Sequence, residues 1–275
     1  MNGEALKATD VVFGYRNEEV ILKNVGLTLR KGEILGILGP NGSGKTTFMR
    51  CLNRLLTPSQ GEIILDDKAI TEYSRKELAT RVGFVPQSSE SELSSPMVYD
   101  VVMMGRRPHM TWQFSEKDDE MVWEIMKELD VAHLASYHFN ELSSGQSQRV
   151  LIARAIAQDV DVLLLDEPTS NLDVKYQIEV MRLIRSLVDE KGVSACAIIH
   201  DLDLAMRYCD KVVLLHDGVI VSAGTPVEAL TPATIKQVYG VTAYVEDVHG
   251  RYRVMIERRA MRPHGTGTIS LNMKP

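Results

Sequence analysis

Two groups of residues have chemistry to offer. Gly39-Pro40-Asn41-Gly42-Ser43-Gly44-Lys45-Thr46 follows the pattern GxxxxGK[ST], and Thr47 comes next. Glycines in such a loop let successive backbone N–H groups turn inward around phosphate oxygens. A helix opening at the end of the loop adds a positive dipole. Lys45 supplies a point charge for the β- and γ-phosphates, and the Thr46 hydroxyl can hold Mg²⁺. The second group is Asp166-Glu167, at the end of Val162-Leu163-Leu164-Leu165. A buried apolar strand ending in two acids delivers carboxylates to the carboxyl end of a sheet, where ligands lie in open α/β folds. Asp166 would hold the Mg²⁺ shell. Glu167, next in line and expected to point the other way, is placed to orient or deprotonate a water attacking the γ-phosphate.

Both groups depend on the elements around them. Residues 33–38 form an apolar run broken only by Gly36, suited to a strand buried on both faces, and they lead straight into the glycine-rich loop. After the loop, residues 46–56 put Phe48, Met49, Leu52, Leu55 and Leu56 on one helical face. Residues 8–13, 25–29 and 62–65 read as strands, and 61–70 as a hairpin around Asp66-Asp67. Ser74 with Glu77, and Ser115 with Asp118, are capping boxes that open a helix-rich middle. Strand-like runs at 160–165 and 194–199 flank a helical run at 175–189, which is a βαβ pattern. A hairpin turning at Asp217-Gly218 follows, then helix starts at Thr225-Pro226 and Thr231-Pro232, with Gly240 closing the second helix.

Composition narrows the class. The 275 residues are 44% hydrophobic and 25% charged, enough for a sizeable core and unlike a disordered, collagenous or disulfide-stapled chain. A formal charge of −6 argues against a broad grip on nucleic acid. Cys51, Cys196 and Cys209 are widely spaced with no CxxC, so neither a disulfide framework nor a zinc site is expected, and a reducing compartment fits. No apolar run approaches the roughly 20 residues that span a bilayer, and Glu4 sits where a secretory signal would be apolar. The expectation is a cytoplasmic chain, or one peripheral on the inner face of the cell membrane.

Further motifs carry a resemblance. Leu142-Ser143-Ser144-Gly145-Gln146 looks like the signature of the ATP-binding cassette ATPase family, and Ser170-Asn171-Leu172-Asp173 like its D-loop. Gln87 in Phe84-Val85-Pro86-Gln87 resembles its Q-loop, His200 its switch histidine, and Tyr15 the aromatic residue that stacks on adenine. Taken alone, His200 reads equally as a core histidine, Gln87 as a loop glutamine and Tyr15 as a strand-end aromatic. The resemblance covers residues 6–240, in family order and spacing.

It implies an α/β fold: a P-loop NTPase core with a mixed, mainly parallel sheet, an antiparallel β subdomain, and a helical subdomain carrying the signature. The nucleotide-binding domain would span 1–240, with the helical subdomain at about 88–157, and 241–275 would add a hairpin and a frayed, basic tail. It further implies ATP and Mg²⁺, with Lys45, Gln87, Glu167 and His200 catalytic and the metal at Thr46, Gln87 and Asp166. Tyr15, the loop from Gly39 to Thr47, Ser143, Ser144, Gly145, Gln146 and Asp173 would bind nucleotide. Ser143 to Gly145 open a predicted helix and so form a second anion-binding N-terminus, which suggests a two-fold dimer with ATP between copies. Ser144 departs from the commoner glycine of the signature, while Gly145 is retained.

No heptad insertion of the repair ATPases lies between Gln87 and Leu142, and no fused membrane spans of an exporter are present. Residues 99–109, with Gly105, Arg106 and Arg107, resemble the importer ATPases for iron–siderophore, haem and cobalamin. The resemblance sets the groove around Gln87 and this segment against a cytoplasmic helix of the partner, and a solvated basic turn is the alternative reading of the paired arginines. The expected partners are a second copy, a polytopic permease and, indirectly, an extracytoplasmic solute-binding protein. A soluble ATPase of iron–sulfur cluster assembly and a low-turnover ATP-gated clamp stay open as alternatives.

Overall fold

In the computed structural model, residues 3–15, 19–87, 96–110, 112–248 and 252–257 are described. The chain begins with β1 (Glu4–Gly14) and β2 (Val20–Arg30), followed by β3 (Ile34–Leu38), α1 (Lys45–Leu52), β4 (Gln60–Leu65) and β5 (Lys68–Ala69). Strands β2-β1-β4-β5 form an antiparallel sheet. Its β4–β5 turn is the expected acidic one, with both Asp66 (φ 47°) and Asp67 (φ 63°) left-handed as a two-residue hairpin turn demands.

Helix α1 stops four residues short of its predicted end. Arg54 takes the left-handed conformation (φ 52°) that glycine usually supplies, and the Arg54 and Leu55 amides close on the Cys51 and Arg50 carbonyls, both at 2.9 Å. The Arg54 guanidinium donates to the carbonyls of Ile70 (3.2 Å) and Tyr73, which holds this ending in place. Leu55, expected on the buried face, is 59% exposed as a result.

The middle of the chain contributes α2 (Arg75–Ala79), β6 (Val82–Val85), α3 (Val98–Met103), α4 (Glu116–Glu128) and α5 (Ser144–Ile156). Both predicted capping boxes are formed. The paired arginines are not a solvated turn. Arg106 is buried, ion-paired to Asp118 at 2.7 Å and donating to the Ala157 carbonyl at 2.9 Å, while Arg107 is exposed. The Ser115 amide and hydroxyl, with Arg106, hold the Asp118 carboxyl down at about 2.

Then come β7 (Val162–Leu165), α6 (Val174–Lys191), β8 (Ser194–Ile198), α7 (Leu202–Tyr208), β9 (Lys211–His216), β10 (Val219–Gly224), α8 (Pro226–Ala229), α9 (Pro232–Tyr239), β11 (Ala243–Asp247) and β12 (Tyr252–Ile256). The second sheet has the order β10-β9-β3-β8-β7-β6, parallel throughout except for β10. Its parallel strands are largely buried on both faces and feed two cores by alternation. Leu35, Ile37, Leu164 and Ile198 face α1 and the antiparallel sheet, while Ile34, Leu38, Leu165 and Ala197 face the helices. Phe48 and Met49 of α1, both fully buried, contribute about 1.5–3 kcal/mol each and fix the helix whose first residues are Lys45 and Thr46.

The hairpin β11–β12 packs on the helical-side core through Ala243 and Val254. Arg251, residues 88–95 at the start of the expected helical subdomain and the expected tail from 258 onward lie outside the described residues. Cys51, Cys196 and Cys209 are free and buried, and burial pushes all three thiols up. Among the described residues, no helix is long and apolar enough to cross a membrane.

Candidate active site

At the carboxyl end of the parallel sheet lies a cleft of about 640 Å³, lined by Ile21, Asn41, Gly42, Gly44, Lys45, Thr46, Thr47, Gln87, Glu167 and His200. The glycine-rich loop enters it from β3. At Gly39 (φ 147°) a Cβ would lie 2.0 Å from the Leu215 carbonyl, so only glycine lets the loop leave the sheet here. Lys45 is 5% exposed, and its ammonium donates to the Gly39 (2.9 Å) and Pro40 (2.8 Å) carbonyls. Burial lowers its pKa from the usual lysine range, with the charges of Glu167 and Asp166 opposing the shift. This is a desolvated cation with neutral partners, which attracts an anion.

Opposite it, the Thr46 hydroxyl donates to Asp166 Oδ1 at 3.1 Å. Asp166 is 3% exposed, and burial raises its carboxyl above the usual range despite the Thr46 hydrogen bond. Glu167 does not alternate away as a strand residue would. The strand ends at Leu165, and Glu167 turns left-handed (φ 53°), with its carbonyl accepting from the Ser170 amide (3.1 Å) and hydroxyl (3.0 Å). Its carboxylate therefore returns to the same cleft. One oxygen accepts from Gln87 Nε2 at 2.8 Å, and the other lies 2.6 Å from His200 Nε2. His200 has 41% of its side chain exposed, so it is not a core histidine.

The structure brings the loop, Gln87, Asp166, Glu167 and His200 together. It leaves the signature residues, Asp173 and Tyr15 out of the cleft lining. Tyr15 is 38% exposed and packs edge-to-face on Phe13 with ring centroids 5.1 Å apart. Ser143 caps α5 in a capping box with Gln146, and Ser143 and Ser144 are exposed. Gly145 is buried because a Cβ there would lie 3.1 Å from the Tyr176 ring of α6. Asp173 is the N-cap position of α6, with no hydrogen bond from its side chain to the helix. Ile21 was not anticipated. It reaches the cleft from β2 beside Gly44, and its only sequence signal is membership of an apolar strand.

A model of the family described as ABC transporter matches residues 22–170, from β2 through the acids after β7. The chain belongs to the ABC transporter family. This ABC protein is a nucleotide-binding ATPase. It is 42% identical over 245 residues to an ABC transporter ATP-binding protein of Methanocaldococcus jannaschii, covering 89% of this chain and 95% of the relative. It is 36% identical over 244 residues to the ferric enterobactin transport ATP-binding protein FepC of Escherichia coli, covering 88% and 89%. A solved structure described as a metal-chelate type ABC transporter in an inward-facing conformation matches with a TM-score of 0.80 at 28% identity, covering 93% and 97%.

A second concavity, of about 570 Å³, lies between the end of α1, α2, β6 and the helical layer, with Arg54, Leu55, Arg75, Met104 and Arg154 among its lining. Gly105 lets the chain sit against α5 here, since a Cβ would lie 2.2 Å from the Arg154 carbonyl.

Proposed function

We propose that this chain is the ATP-hydrolysing subunit of an importer for metal chelates such as iron–siderophore, haem or cobalamin. The observation that carries the chemistry is the Glu167 carboxylate held between Gln87 and His200, across the cleft from Lys45. Lys45 exchanges its two carbonyl partners for β- and γ-phosphate oxygens when ATP enters, and Tyr15 stacks on the adenine. Glu167 orients the attacking water or takes its proton, while Gln87 and His200 fix the two carboxylate oxygens.

Mg²⁺ fits the donors present: Thr46 Oγ1, the Asp166 carboxylate and Gln87 Oε1 are hard oxygen ligands. Among the described residues there is no cluster of three His, Cys, Asp or Glu side chains, so a cation here would be completed by substrate oxygens. When bound, it supplies neutralisation of phosphate charge.

Two of these relatives support the transported class, since one is named for ferric enterobactin transport and the other is described as metal-chelate type. The α1–α2 groove, with exposed Leu55 and Met104 beside arginines, suits a cytoplasmic helix of the permease, which would keep the chain peripheral on the inner face of the membrane. Gln87 then links nucleotide to permease, with the solute-binding protein reached only indirectly. Purified with its permease and placed in vesicles, the chain should hydrolyse ATP faster when chelate-loaded binding protein is added. Recovery only with soluble assembly proteins, and no such stimulation, would overturn this reading.

Lys45→Ala separates binding from chemistry. It removes charge-assisted hydrogen bonds worth about 1.5–3 kcal/mol, so ATP should bind on the order of 10–100-fold more weakly by equilibrium titration. Unchanged affinity would show that the buried ammonium is not the phosphate contact.

A further inference from the structure

His200 sits between β8 and α7, so the first turn of α7 sets where its ring lies. That helix has only seven residues. A helix so short is marginal without tertiary support, and its start depends on what holds it. Asp201 caps it from within, its carboxylate accepting from the amides of Asp203 (2.8 Å) and Leu204 (2.9 Å). Asp203 reaches outward instead: its Oδ1 accepts from the Val254 amide of β12 at 2.9 Å.

Val254 faces Val245 across the β11–β12 ladder. Alternate residues of an antiparallel pair direct their amides away from the partner strand, and an edge strand leaves those amides unpaired. The Asp203 carboxylate thus does for β12 what a third strand would do. Leu204, Ala205 and Tyr208 of α7 share a core with Ala243 and Val254 of the hairpin. Beside this joint, a cavity of about 740 Å³ is lined by α6, α7 and β12 residues, including Val174, Gln177, Arg207 and Tyr252.

We propose that Asp203 is a positioning residue for ATP hydrolysis. By tying α7 to the C-terminal hairpin, it fixes the approach of His200 Nε2 to Glu167 Oε1, now 2.6 Å. The proposal rests on the reading of His200 and Glu167 as catalytic. It makes the hairpin a determinant of turnover although none of its described residues lines the cleft.

The test compares steady-state ATPase kinetics and ATP affinity in four variants of the full chain. His200→Ala should lose turnover, which checks the underlying reading by itself. Asp203→Ala should lower kcat by roughly 10-fold, within the range that small misplacements of reacting groups produce, with KM and ATP affinity unchanged. Asp203→Asn keeps a carbonyl oxygen at the same place and should retain most of the parent kcat. In the His200→Ala background, Asp203→Ala should cost nothing more, because two residues acting through one contact are not additive.

An unimpaired His200→Ala would remove the reading of His200 and the proposal with it. An impaired His200→Ala beside an unimpaired Asp203→Ala would remove the proposal alone. So would an Asp203→Asn as slow as Asp203→Ala, or a further loss in the double variant, since either would mark a general effect on folding.

Discussion

Glu167→Gln should bind ATP as the parent does and hydrolyse it at least about 100-fold more slowly, the lower end of what a positioned general base contributes. That loss corresponds to about 2.7 kcal/mol of transition-state stabilisation. In the parent, both carboxylate oxygens face donors, Gln87 Nε2 and His200 Nε2. An amide has one acceptor oxygen and one NH₂ group, so it can satisfy only one of these donors and can no longer take a proton from water. Affinity should survive, because the phosphate contacts proposed above come from the loop and from Lys45. Single-turnover hydrolysis beside equilibrium binding of ATP decides it. Near-parent hydrolysis would move the base elsewhere.

Much of this site was legible because its signals are local. The GxxxxGK[ST] loop lies between an apolar run and a helical face, and each strand or helix there is specified by its own residues. The two capping boxes were legible for the same reason. What escaped depends on distant partners. The end of α1 is held by Arg54 reaching the Ile70 and Tyr73 carbonyls, and no glycine marks it. Arg106 looked like a surface charge because Asp118 and the Ala157 carbonyl, which accept from it, come from other helices. Glu167 reaches the cleft by a route that its place at the end of an apolar run does not show. Strand alternation would have turned it away, and a left-handed residue just past β7 turns it back. Gly145 seemed to leave room for phosphate, but in the single chain it leaves room for Tyr176.

ATP should join two copies of the chain. The cleft holds a buried cation, the Glu167 carboxylate and a loop of amides, with Asp166 behind Thr46, yet the exposed N-terminus of α5 lies outside its lining. Capping satisfies the Gln146 amide through the Ser143 hydroxyl, which leaves the Ser144 and Gly145 amides at a positive helix end. A γ-phosphate in the cleft of one copy, met by this helix end of another, would complete both sites under two-fold symmetry. It would also offset repulsion between chains that each carry a formal charge of −6. With Glu167→Gln blocking turnover, ATP should therefore shift the isolated chain from monomer to dimer in light scattering, and ADP, which lacks the γ-phosphate, should do so less. Adding Ser143→Arg should abolish the shift, but it also deletes an N-cap worth about 1 kcal/mol. Ser143→Asp separates the two effects, because its carboxylate caps the helix as well as serine does and still places negative charge against the phosphate. Loss of the dimer in both variants, with ATP affinity of the monomer intact, is the expected result. A Ser143→Asp chain that dimerises as readily as its parent would show that α5 does not meet the phosphate of a second copy.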